Sequence, residues 1–546
     1  MRNRKTSNDD PPQPKQKRAT DGRPYGIAVY TPHGRVLAPA IQAFPQGGSR
    51  NIPTTKEVSG IRLHKNYIWL VAAVLVGLFG GAAMLLAVSH ADNATLDDIA
   101  AARAALKSTE LVPVETPDTT GFSLNILTET VGETFFRTDE TDGSTLSARI
   151  HARDAHLAEE TGATVTTTSA ADFVQAAQAD ILSGDYKSNL YVADAANSLS
   201  RLLSAARLRD MTDDPYLRTD EDWFCGTLMD SLRIGGKRYL LSSSAVDARL
   251  GAVAVVYDRR LLASLGDTPD EGASLAAVAL DGDFTLEYLL AEIRTADAAA
   301  DAAAATLDTY GVESGVDVPL PPRGLIAAAD DLFAVFFGIG GNFIAPGTGE
   351  TVPYETFSDT LSRVLGLYGE TSPGGTAAFR NGGAIFTISS LAGLADIGSA
   401  ENYGILPLPK LSAADNYRTY IELHGTAMAA IPAGVPDADK VSYLFERMSF
   451  LSRGYVEPTV RDSIAGGNDD DARVLALIFD SADGSVTDLF GYGDIPGFLA
   501  AVAKDGTYRL EMEFYKRKTL CEKALSIVAK RLNPAAAAES TDTESK

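Results

Sequence analysis

Cysteine is nearly absent: only Cys225 and Cys521 occur in 546 residues. So distant in sequence, they leave open either one bridge, permitted in an exterior compartment, or two buried small hydrophobes. Histidine is also scarce, six in all. His151 and His156 are spaced to fall on different sides of a helix, which does not suit a shared metal. Gly-x-Ser-x-Gly, a Walker loop and His-Glu-x-x-His are all missing, so the chain carries no sequence sign of those hydrolase, nucleotide-binding or zinc-protease chemistries. The acidic run Gly466–Asp471 lacks the ligand spacing and closing Glu of a calcium loop and reads as a helix N-cap with solvated carboxylates. Paired carboxylates for glycoside hydrolysis are not decided by spacing among 72 acidic residues. Basic residues are the scarcer sign, 48 against 72, for a net charge of −24. That balance argues against nucleic acid as a partner and against adsorption to anionic lipid. No cofactor is implied.

What is present begins with one uncharged run, Tyr67–Val88. As a helix, its 22 residues reach about 33 Å, enough to cross a hydrocarbon layer of about 30 Å. Tyr67 and Trp69 stand at its start, where amphipathic rings favour the headgroup boundary. Residues 1–65 carry a net charge of +8, which leaves −32 for the remainder. The positive-inside rule therefore places the N-terminus in the cytoplasm and the large acidic region outside. Ser89-His90-Ala91 could also be read as a signal-peptidase site, but the 65 residues ahead of the run are long for a signal peptide. Residues 1–65 read as a largely disordered cytoplasmic arm, 66–90 as the membrane helix, 91–119 as a linker and 533–546 as a disordered tail. The folded region is 120–532.

Within it the periodicity alternates between strand and helix. Gly121–Glu129 alternates apolar and polar residues; Ser144–Thr161 is helical and ends at Gly162; Ala163–Thr167 is a strand. Ala170–Ser183 is a helix, and Asn189–Ala193 a short apolar strand ending at Asp194. Gly236–Leu241, Gly251–Tyr257, Ala384–Ile388, Tyr403–Leu408 and part of Ile421–Ile431 read as further strands. Phe284–Ala298 and Asp437–Ser452 read as helices. The low-complexity run Ala296–Ala305 reads as solvated helix. This rhythm predicts an α/β fold with crossover helices.

Several stretches, in order, resemble those of bacterial extracellular solute-binding proteins of ABC transporters. They include Leu157–Val165 (LAEETGATV), Leu208–Tyr216 (LRDMTDDPY), Gly235–Tyr239 (GGKRY) and Tyr257–Leu262 (YDRRLL). Phe284–Leu290 (FTLEYLL), Phe379–Ala384 (FRNGGA) and the strand ending in Pro407-Leu408-Pro409-Lys410 continue the series. Asp258-Arg259 departs from the usual Asn-Lys, Phe284 from Trp, and the expected membrane helix from the usual lipid anchor. The resemblance implies a two-lobed type-2 periplasmic-binding fold, with lobe 1 about 120–245 and 411–455 and lobe 2 about 246–410 and 456–532. It implies capture of a small solute, a sugar or oligosaccharide, for an ABC permease. A ligand sensor, or an extracellular hydrolase, are the alternatives.

In such sheets ligands sit beyond the carboxyl ends of strands. That rule selects Glu129 with Thr128, Asp194 and Asn197, then Ser243, Ser244 and Asp247 near the first crossover. It further selects Ser389, Ser390 and His424. Trp223 and Tyr420 are candidates for stacking on a sugar face. Each has a structural alternative: Trp223 in a core, Asp194 as a helix cap, His424 as a structural histidine, Ser243 and Ser244 as turn residues.

Overall fold

The computed structural model describes residues 116–136, 145–264, 274–309, 322–346, 348–400, 402–507 and 509–533. The expected membrane segment Tyr67–Val88, the arm before it, most of the linker after it and the C-terminal tail lie outside the described residues. No helix among the described residues is long and apolar enough to cross a membrane.

The first sheet has the order β10-β3-β1-β2. Its strands are β1 (Ser123–Thr128), β2 (Thr164–Ser169), β3 (Leu190–Asp194) and β10 (Ala427–Ala430). The first three are parallel and β10 is antiparallel to β3. Parallel neighbours require crossover helices. Those helices are Thr145–Thr161, which ends at Gly162 (φ +67°), and Phe173–Ser183, capped by Asp172 accepting from the Gln175 N–H and closed by Gly184 (φ +74°). Leu146, Ile150 and Leu157 form the buried face of the first.

The second sheet has the order β6-β5-β7-β4-β8. It consists of β4 (Val253–Asp258), β5 (Arg323–Ala327), β6 (Thr371–Pro373), β7 (Ala384–Ser390) and β8 (Tyr403–Leu406). Strand β4 runs antiparallel to both β7 and β8, while β5 is parallel to β6 and β7. Side chains of β4 alternate between two cores. Ala254 and Val256 join the core that contains the first sheet, whereas Val253, Val255 and Tyr257 join a second one. Both faces of this sheet are therefore covered, which is why its strands read as continuous apolar runs. Helices Glu457–Ala465 and Asp469–Asp480 contribute Val460, Ile464, Val474 and Phe479 to the first core.

Three chain segments pass between the sheets, side by side. Ala252 forms an antiparallel bridge with Ile421, and the Glu422 N–H donates to Gly251 O at 2.9 Å. Strands β9 (Thr419–Tyr420) and β11 (Ala482–Asp483) pair in parallel. A third pass is thereby fastened to the second. The two sheets, one in each α/β lobe, are thus joined by three adjacent segments that form a short seam.

Some expectations change. Gly236–Leu241 is not a strand, because its backbone groups are divided among partners: Lys237 with Ile234, Arg238 O with the Met211 N–H, Leu241 with Ala429. No continuous ladder can form from such scattered bonds. In Ile421–Ile431 only Ala427–Ala430 is ladder, since the preceding residues are the interlobe pass and Gly425 turns at φ +78°. The alanine-rich run lies within a helix Leu286–Thr309, but Ala296 and Ala300 are buried, so one face packs inward. Asn468 caps the helix Asp469–Asp480 by accepting from the Asp471 N–H at 2.9 Å, yet Asp471 itself is buried. Cys225 and Cys521 are free thiols buried in different cores. Burial pushes both up to about 11, so they are unreactive at neutral pH.

Candidate ligand-binding site

The carboxyl ends of β1 and β3 are linked to each other and to the second pass through Glu129, Asp194 and Gly425. Glu129 follows β1. Its Oε1 accepts from the Asp194 N–H at 2.5 Å and its Oε2 from the Ser198 hydroxyl at 3.0 Å. Asp194 closes β3 and accepts from the Asn197 N–H (2.7 Å), from Asn197 Nδ2 (2.9 Å) and from the Gly425 N–H (2.7 Å). It is thus a cap, as one sequence alternative has it, and also a clamp between lobe 1 and the pass. Burial raises Glu129, against the hydrogen bonds from Asp194 and Ser198.

The pass itself carries Tyr420, Glu422 and His424. Tyr420 is buried, edge-on to Phe333 with centroids 5.0 Å apart and tilted against Phe337 at 5.5 Å. Its hydroxyl bonds Asp488, and burial followed by that carboxylate raises it well above the ordinary phenol range. Asp488 is buried too and accepts from the Leu423 N–H at 3.3 Å; His424 Nε2 lies 3.8 Å from its Oδ1. Burial raises Asp488, opposed by the Tyr420 hydroxyl and His424.

Glu422 differs from all of these. Solvent reaches its side chain, and its carboxylate accepts no hydrogen bond from any described residue. Surrounding protein nevertheless pushes it up to about 7, with Asp488, Asp331 and Asp194 adding repulsion in that order. A group that is wetted yet crowded by protein lies in a recess. Asp331 faces it from lobe 2, just beyond β5. It accepts from the Ala328 N–H at 2.6 Å and is raised to about 6 by burial and then by Asp330. Asp194 at the end of β3, Asp331 beyond β5 and Asp488 thus all act on Glu422, so the charged neighbours acting on it are all acids. Such groups accept hydrogen bonds from hydroxyl or ammonium donors.

The other sequence candidates are placed elsewhere. Trp223 is buried, donates from Nε1 to Glu446 at 3.1 Å and stacks edge-on against Phe450 at 5.2 Å. Ser243 and Ser244 are buried; the first accepts from the Ser449 hydroxyl at 2.8 Å and the second donates to Glu457 at 2.5 Å. Asp247 is buried and bidentate to Arg249, both contacts at 2.7 Å. These four are occupied by protein partners. Ser389 and Ser390 end β7 beside the first pass, where the Leu391 N–H donates to Ala252 O at 2.8 Å. The Ser389 hydroxyl donates to Ser390 O at 3.1 Å, and no hydrogen bond joins the pair to the carboxylates. Glu422, Asp488 and Asp331 were not singled out from sequence. The available signal was local: Glu422 lies midway between Tyr420 and His424, and Asp331 closes the short helical turn Ala329–Asp331 that follows β5.

No protein-family model and no curated protein matches the sequence. Solved structures do. The galacto-N-biose/lacto-N-biose I-binding protein of the ABC transporter from Bifidobacterium longum is 15% identical, with 76% of this chain and 99% of that one covered, at a TM-score of 0.47. The cyclic α-maltosyl-1,6-maltose binding protein from Arthrobacter globiformis is 14% identical over 76% and 98%, at 0.45. The GacH receptor of Streptomyces glaucescens, solved with acarbose, is 14% identical over 76% and 99%, at 0.42.

Proposed function

We propose that this chain is an extracellular solute-binding protein with the type-2 periplasmic-binding fold, anchored by Tyr67–Val88. It captures a small solute, a carbohydrate, for an ABC importer. The reading rests chiefly on Glu422, an unpaired carboxylate at the seam, flanked by Asp194 of one lobe and Asp331 of the other. A polyol entering the recess supplies hydroxyl donors to these oxygens. When the lobes close, donors from one solute satisfy acceptors on both sides, so the solute binds the closed form better and shifts the population toward it. Binding alone changes no bond, and the work is done by the differential affinity of the two forms. Glu129, Asp194, Asn197 and His424 are the sequence candidates that belong to this site, with Asp331, Glu422 and Asp488 added. Ser389 and Ser390 are peripheral to it.

One observation favours a second reading. The carboxylates converge with no Lys or Arg among the groups that shift Glu422, which suits a solute bearing an amino group. A thermal-shift screen of the full chain against mono-, di- and oligosaccharides, amino sugars and simple amines separates the two. A true solute at a hundred times its Kd stabilises the protein by about 2.7 kcal/mol. Stabilisation by neutral sugars supports the first reading, and by amines alone the second. No shift with any of them overturns both.

A further inference from the structure

The last described helix is Leu510–Leu532. One face, with Leu510, Phe514, Cys521 and Leu525, enters the second core, and Val528 reaches the first. The opposite face is unpartnered. Of the six large hydrophobic residues exposed among the described residues, four are on this helix: Tyr515, which leans on Tyr354 with centroids 6.0 Å apart, and Met512, Leu520 and Ile527 on the outer face, each 50–57% accessible. Leu520 is eight residues from Met512 and Ile527 seven from Leu520, so these three lie on one side of the helix and form a stripe. Lys516, Lys523 and Lys530 recur every seven residues along the same side and are exposed. Lys523 and Lys530 make no ion pair with any described residue. In a chain of net charge −24, this is a local basic, apolar face.

We propose that this face docks on an anionic lipid surface, with Met512, Leu520 and Ile527 entering the headgroup boundary and the three lysines meeting lipid phosphates. Charge complementarity chooses the occupant. A second copy would set lysine against lysine in a two-fold pairing, whereas an anionic leaflet pairs with all three. An apolar stripe flanked by lysine is the pattern of helices that lie in a membrane interface, their stems spread along the boundary and their ammonium groups in the headgroups. Chain length permits it: 27 residues separate Val88 from residue 116, a reach of up to about 90 Å when extended. The averaged acidity of the chain conceals this face, which only the burial pattern of the helix reveals. The inference is independent of which solute is bound.

The test places an environment-sensitive fluorophore at Thr519→Cys on the full chain, reconstituted in vesicles of phosphatidylcholine with or without phosphatidylglycerol. Docking predicts a blue shift and protection from acrylamide in phosphatidylglycerol vesicles only, reversed by high salt. Each lysine near an anionic leaflet contributes about fivefold, so replacing Lys516, Lys523 and Lys530 by Gln together weakens docking roughly a hundredfold. Leu520→Glu with Ile527→Glu abolishes it, and the thermal transition of both variants stays at the wild-type value because the face is solvent-exposed. Equal quenching in the two vesicle types overturns the proposal. So does protection in detergent that grows with protein concentration, which would assign the face to a second copy.

Discussion

Two acidic centres flank the first and second interlobe passes, and they are built in opposite ways. At Asp247 and Glu457 every carboxylate has a guanidinium. Arg249 is bidentate to Asp247 and 3.5 Å from Glu457, and Arg461 pairs with Glu457 at 2.6 Å. Burial alone would raise Glu457, but Arg249 and then Arg461 outweigh it and hold it below the usual carboxylate range. At Glu422 the surrounding protein is joined by repulsion from Asp488, Asp331 and Asp194, and Glu422 is held up at about 7; Asp488 and Asp331 are raised by burial first, then by Asp194 and Asp330 respectively. Fully paired charge serves the architecture of the seam. Charge left unpaired in a wetted recess is a site waiting for donors.

The sharpest way to break the comparison is Arg249→Ala. It strands the buried carboxylate of Asp247, while Glu457 keeps Arg461, and is expected to cost about 3–5 kcal/mol in denaturant unfolding; a loss below 1 kcal/mol would remove the structural role assigned to that centre. Next comes Gly251→Ala. An added Cβ would lie 2.8 Å from the Glu422 carbonyl oxygen and against the Thr426 hydroxyl. Forcing the passes apart should cost about 1–3 kcal/mol and, unlike the arginine change, should also weaken solute binding by misplacing Glu422. Trp223→Phe is smaller, about 1–2 kcal/mol for the lost bond to Glu446. Calorimetric titration should find its solute affinity unchanged, since Trp223 is a core residue.

Those contrasts also show what could be read in advance. The strand-end rule reached Glu129 and Asp194 because β1 and β3 are short, regular and directly followed by their polar residues. It failed at Trp223 and Asp247, whose partners decide their roles. Glu446 is 223 residues from Trp223, and Arg249 turns Asp247 inward through a short helical turn. Glu422 was invisible for another reason. It sits in a segment that is neither strand nor helix, and its importance comes from Asp194, Asp331 and Asp488, three acids from separate parts of the chain. The alternation of β4 between two cores likewise appears in sequence only as an apolar run.

The gentlest test is pH. Glu422 and Asp331 titrate at about 7 and about 6 in the folded chain, above their ordinary 4.5 and 3.8. The folded state therefore holds protons that the unfolded chain has released. Their contribution to stability is fully present below about pH 4 and declines as pH rises toward 7. Glu457 has the opposite sign, its contribution present above its ordinary value and lost on acidification. Urea midpoints across this window should show Glu422→Gln gaining on wild type as pH rises. A gap that stays constant would mean that Glu422 is not perturbed.

The most direct measurement is calorimetric titration of wild type and Glu422→Gln with whichever saccharide or amine raises the melting temperature most. The substitution keeps shape and removes only the anionic acceptor. An unpaired carboxylate at the seam predicts at least about tenfold weaker binding, about 1.4 kcal/mol, with the folded state no less stable. An unchanged Kd would contradict the assignment of this recess as the binding site.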